Sequence, residues 1–167
     1  AQADFDGALR SFRAAARAAP GNKTYAQDAL VLRRVVGMRK TVARQQVNAR
    51  WEKTAISLHL FYLRNDLPQE AVALDRRGLR LLANAGAEAR LAEALLEAGD
   101  NEATVKLLDQ PARWQRDQRH AIFHGIALAR TKQYARALKV HESLRLPKNA
   151  SPLLLRDAAR LEAVLGR

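Results

Sequence analysis

Residues 52–84, 85–117 and 118–150 align without a gap at a step of 33, and a fourth, partial copy starts at Ser151. No other feature limits the fold as much. A unit this short cannot bury its own apolar face and must stack on its neighbours. Small or tightly packed residues recur at the eighth place of each copy: His59, Ala92, Gly125 and Ala158. A larger apolar residue follows three places later, at Tyr62, Leu95, Leu128 and Leu161. Beyond a polar turn come Ala71, Thr104 and Ala137, and then Leu74, Leu107 and Val140. Spacings of three belong to one face of an α-helix.

Each copy therefore reads as helix, short turn, helix. The turns are Asn65-Asp66-Leu67-Pro68, Gly99-Asp100-Asn101 and Thr131-Lys132-Gln133. Gly and Asp in such a turn stop one helix and cap the next, and Pro68 suits the first position of a helix. Composition agrees, since Ala, Leu and Arg, all good helix formers, make up 80 of the 167 residues. The chain has no cysteine, which removes disulfide scaffolds, thiol nucleophiles and thiolate metal sites. At 48% hydrophobic residues it is not a disordered chain. No apolar run approaches the ~20 residues of a membrane-spanning helix.

The best copies are LAEALLEAGDNEATVKLL (residues 91–108) and GIALARTKQYARALKVHESL (residues 125–144). They resemble the tetratricopeptide repeat, which has a small residue at its eighth place, a large apolar one at the eleventh and Ala at the twentieth. The opening DFDGALRSFRAAARAAPGN is similar to the second helix of such a repeat, with Ala8, Phe12, Ala15 and Pro20 at the family's places. The chain is thus expected to begin inside a repeat of a longer, bacterial protein. The resemblance implies an all-α fold, an α-solenoid of stacked antiparallel helix pairs wound into a right-handed superhelix with a concave groove. The expected layout is one solenoid domain over residues 1–167. Residues 1–22 supply the second helix of a truncated repeat and 23–51 an irregular repeat. Residues 52–84, 85–117 and 118–150 form repeats, and 151–167 a C-terminal helix. Asp75 and His141 depart from the family by replacing its second-helix aromatic, and Pro111 should shorten a second helix. In the irregular repeat, a second helix over about 39–49 leaves almost no loop before Trp51. Residues 40–64 contain no Gly or Pro, so one continuous or kinked helix there is an equal alternative.

Proteins of this family bind rather than catalyse, and their groove is lined from places 2, 5, 9, 12 and 13. Carried over, the lining is Thr24, Gln27, Val31, Arg34 and Val35, then Lys53, Ile56, Leu60, Leu63 and Arg64. The next copies give Gly86, Ala89, Glu93, Leu96 and Glu97, then Arg119, Ile122, Ile126, Ala129 and Arg130. An apolar floor with charges at the rim suits a peptide or a partner helix. Packing against adjacent helices is the competing role for Ile56, Leu60, Leu63, Ile122 and Ile126. The function this implies is a non-catalytic scaffold for protein–protein interaction, with no cofactor. Similar stretches also occur in bacterial exopolysaccharide export proteins, where they stand in the periplasm. That alternative leaves the compartment open between bacterial cytoplasm and periplasm.

Six basic residues and no acid lie between Val31 and Trp51: Arg33, Arg34, Arg39, Lys40, Arg44 and Arg50. Residues 1–65 carry +8 of the formal net charge of +12. Lys40, Arg44 and Arg50 are candidates for one face of a helix that meets an acidic protein or another polyanion. A solvated surface is the commoner fate of such a run. Nucleic acid is not the expected partner, because zinc-ligand spacing, a stacking platform and a Gly-rich phosphate loop are all missing. His120 and His124, four apart, share a helix face but lack a third ligand at a diagnostic spacing, so no metal site is expected. Glu93 and Glu97 also share a face, where solvation is a plainer role than acid–base catalysis. Trp51 and Trp114 fall near inter-repeat turns, where packing into the joint is the simpler role.

Overall fold

The computed structural model describes residues 3–44, 47–111 and 116–166. The described residues form nine α-helices and no strand. In chain order the helices are α1 (Phe5–Ala18), α2 (Lys23–Ala43), α3 (Ala49–Arg64), α4 (Pro68–Leu82), α5 (Ala85–Glu97), α6 (Asn101–Leu108), α7 (Gln118–Arg130), α8 (Tyr134–Ser143) and α9 (Pro152–Val164). The chain divides into two compact units, Ala1–Asn65 and Asp66–Arg167.

In the second unit the recurrence is a property of the backbone. Helices α4, α6 and α8 begin at Pro68, Asn101 and Tyr134, steps of 33. The residues two before those starts, Asp66, Gly99 and Lys132, all take left-handed φ, at 57°, 78° and 64°. Such a residue ends a helix by letting the following amides turn back onto it. Asp100 N–H donates to Leu95 O at 2.9 Å, and Gln133 N–H to Leu128 O at 2.8 Å, the same bond one repeat apart. Asp100 then caps α6 by accepting from Ala103 N–H, and Pro68 sits in the first turn of α4. Pro111 has the expected effect, since α6 stops at Leu108 after eight residues. Trp114 lies outside the described residues.

Packing follows the repeat. Helix α4 packs on α5, α5 on α6, α6 on α7 and α7 on α8, while α7 also meets α5 and α9. The small residues Ala71, Ala92, Thr104, Gly125, Ala137 and Ala158 are all buried, as are Leu95, Leu128 and Leu161. Gly125 shows why small residues are needed. A Cβ there would stand 3.0 Å from both methyls of Leu161 and 3.4 Å from Val140 Cγ1. The eighth place of one copy thus receives the eleventh-place side chain of the next.

The first unit holds α1 on α2 and α2 on α3. Its aromatics pack among themselves, Phe5 against Phe61 and Tyr62, and Phe12 against Tyr25. Here the local reading needs correction. Where residues 23–51 were expected to give a helix pair, one helix, α2, runs 21 residues without a turn. The equal alternative, one continuous or kinked helix over residues 40–64, is not formed either. The chain leaves helix at Arg44, and α3 starts afresh behind Asn48, whose backbone is extended and whose side-chain Oδ1 accepts from Trp51 N–H at 2.9 Å. An asparagine N-cap starts a new helix by satisfying one of its free first-turn amides. Trp51 then closes the joint, buried, with Nε1–H donating to Val42 O at 3.1 Å.

Candidate functional site

In the first unit, Lys53, Ile56, Leu60 and Arg64 line one exposed face of α3, as spacings of three and four dictate. Ile56 and Leu60 remain 38% and 40% accessible, so an apolar strip with a cation at each end meets water. Leu63 is half-buried. On α2, Thr24, Gln27, Val31 and Arg34 are exposed and Val35 is buried.

The basic stretch does not form one face. Arg33, Lys40 and Arg44 are exposed on the outer side of α2, but Arg39 turns inward, its guanidinium 4.8 Å from the centre of the Phe5 ring. Arg50 is exposed on α3, beyond the break, so it shares no helix with Lys40 and Arg44.

In the second unit the groove candidates are largely used up by the fold. Ile122 and Ile126 are fully buried in the hydrophobic core beside Phe123, Leu128 and Leu161. They are corrected to core residues, because α9 and α5 both pack on α7. Ala89, Leu96 and Ala129 are buried as well, while Gly86 is exposed. Glu93 is buried and bound. Its Oε2 accepts from Arg119 Nη2 at 2.8 Å, and Arg119 Nε reaches Asp157 Oδ2 at 3.4 Å. Arg156 approaches both acids, Asp157 at 2.8 Å and Glu93 at 3.6 Å. The hydrogen bond to Asp157 raises the Arg156 pKa further above its ordinary range. Exposed Glu97 pairs with Arg160 at 2.6 Å, and exposed Arg130 donates to Leu96 O at 3.2 Å. Glu93 and Glu97 of α5 are therefore partnered by arginines of α7 and α9. Asp157, Arg156 and Arg160 were not singled out by sequence reasoning. The 33-residue register held a signal, because it sets the first helices α5, α7 and α9 one repeat apart.

His120 and His124 line a cleft with Arg116, Gln118 and Val140. The two rings meet different acids. His120 is buried, its Nε2 lying 3.2 Å from Glu88 and its Nδ1 3.0 Å from Asp117, the residue that caps α7. Arg116 joins the same Glu88 at 3.1 Å and donates to Leu108 O at 2.7 Å. His124 Nε2 lies 2.9 Å from Asp109, which also pairs with Arg136 at 2.6 Å. Burial lowers the His124 pKa below 6.5, against the pull of Asp109. No group of three or more histidines and acids stands ready to hold a metal ion among the described residues. No described helix is long and apolar enough to cross a membrane.

Comparisons of the chain with known protein families, with curated proteins and with solved structures found no match.

Proposed function

We propose that this chain is a tetratricopeptide-like module, an α-solenoid of bacterial origin, that binds a peptide or helix of a partner protein and catalyses nothing itself. The backbone recurrence of Asp66, Gly99 and Lys132 with the helix starts behind them supports the family reading. The ion pairs of Glu88 and Glu93 with arginines, and the close approach of His120 to Glu88 and of His124 to Asp109, support a structural role for the residues that chemistry would need. The observation that carries the binding function is the α3 face, where Ile56 and Leu60 stay exposed between Lys53 and Arg64. Apolar anchors flanked by charge are the usual means of holding a peptide.

The test begins with crosslinking capture of partners and continues with each purified partner in a titration. Ile56→Ser/Leu60→Ser and Lys53→Glu/Arg64→Glu should each weaken binding at least about tenfold, the loss of one or two anchors. Affinities that stay at the wild-type value in both variants would remove the α3 face from the binding function.

A further inference from the structure

Resting on the reading of the chain as a protein-binding module, we propose that the outer face of α2 docks an acidic, amphipathic helical segment of a partner protein. Ala26, Leu30, Arg33, Gly37, Lys40 and Arg44 follow one another at alternating steps of four and three along α2 and its cap, and all six are exposed. That spacing forms a straight seam about 27 Å long, at 1.5 Å per residue, on which a second helix can lie lengthwise. Leu30 is 64% accessible and its neighbour Val31 50%. Leu30 occupies an eighth place of the repeat, where Ala92, Gly125 and Ala158 are all buried against other helices. A Cβ on Gly37 would meet nothing within 4 Å, so a visiting backbone has room to come close there.

The charge of the face selects the visitor. Arg33, Lys40 and Arg44 form no ion pair with other described residues, unlike Arg90, Arg116, Arg119, Arg136, Arg156 and Arg160 of the second unit. The single acid of α2, Asp28, is half-buried away from the seam. Three cations at steps of seven and four complement acids spaced likewise on a helix, and such complementarity speeds and aligns docking. A polysaccharide or nucleic acid would satisfy the cations but make no use of Leu30 and Val31. Nor does the unit offer bases a stacking surface there, since Trp51 is buried and Phe5, Phe12, Tyr25, Phe61 and Tyr62 contact one another.

The probe is a labelled 20-residue peptide with Glu and Leu at helical spacing, titrated into the full chain by fluorescence anisotropy at two salt concentrations. Its comparators are a scrambled peptide of identical composition and a single-stranded DNA 20-mer. Saturable binding of the ordered peptide is expected, at least about tenfold tighter than the scrambled one. Arg33→Glu/Lys40→Glu/Arg44→Glu should lose at least about tenfold and Leu30→Ser about fivefold. The control Lys106→Glu/Lys139→Glu/Lys148→Glu, equal in charge change, should bind as wild type. Arg33→Gln/Lys40→Gln/Arg44→Gln serves if the triple reversal fails to fold. Equal binding of scrambled peptide or DNA, with no effect of Leu30→Ser, overturns the proposal in favour of a general polyanion surface. Absence of saturable peptide binding overturns it outright. A captured partner that is lost on altering α3 but retained by every α2 variant leaves the module reading standing and removes this one.

Discussion

Arg119 joins three helices with one side chain, so its loss exposes what the buried acids cost when they are left to Arg156. Without it, Glu93 on α5 and Asp157 on α9 remain buried and keep only the exposed Arg156 as a shared partner. Removing one member of a buried pair costs roughly 3 kcal/mol, far more than an exposed pair is worth. Arg119→Ala should lower the unfolding temperature by several degrees in calorimetry, and a Tm equal to wild type would show that the network contributes nothing. His124 sets a second, pH-dependent case. Its folded pKa lies below 6.5, because burial disfavours the charged ring more than Asp109 favours it. Below that pH the unfolded chain takes up a proton that the folded site resists. Stability is therefore full above pH 6.5 and declines as the pH falls toward the folded pKa. His124→Gln should shrink the drop in Tm between about pH 7.5 and pH 5.5. An undiminished drop would assign it to other groups. Neither network was legible residue by residue. Sequence spacing placed Glu93 and Arg119 correctly on first helices, but which acid meets which base depends on distances between helices that no local pattern encodes.

Among elements, the small-against-large rule was the most legible feature of the chain. Ala71, Ala92, Gly125 and Ala158 are buried at their repeat places, and Leu161 fills the space that Gly125 leaves. Gly125→Ala gains about 1 kcal/mol of helix propensity and asks Leu161 to yield slightly, so the two effects nearly cancel. Gly125→Val has no such offset, because a β-branched side chain must displace both Leu161 and Val140. It should destabilise by about 1–3 kcal/mol, and a Tm at or above wild type would contradict the close approach of α7 and α9. The irregular stretch was less legible for a physical reason. Gly37 lies inside α2, yet an exposed mid-helix glycine costs only about 1 kcal/mol against alanine, and the helix runs through it. The true boundary is Asn48, a capping residue without a glycine or proline beside it.

The whole molecule carries its charge in two different ways. In Asp66–Arg167 Arg90, Arg119, Arg136, Arg156 and Arg160 on α5, α7, α8 and α9 are matched to acids, and the hydrophobic core lies inside the unit. Residues 66–167 expressed alone should therefore keep their helices. A circular dichroism spectrum without helical minima would show that the unit depends on what precedes it. In Ala1–Asn65, by contrast, Arg33, Lys40 and Arg44 face water beside one another. Like charges repel through the solvent, and dissolved ions damp that repulsion beyond about 8 Å at physiological strength, while buried pairs are hardly affected. Added salt should then slow amide hydrogen exchange in α2 and leave the rates in α5 and α7 unchanged. If all three helices respond alike, exposed and buried arginines are electrically equivalent here. Otherwise, ionic strength tightens one half of this chain while the other half is indifferent to it.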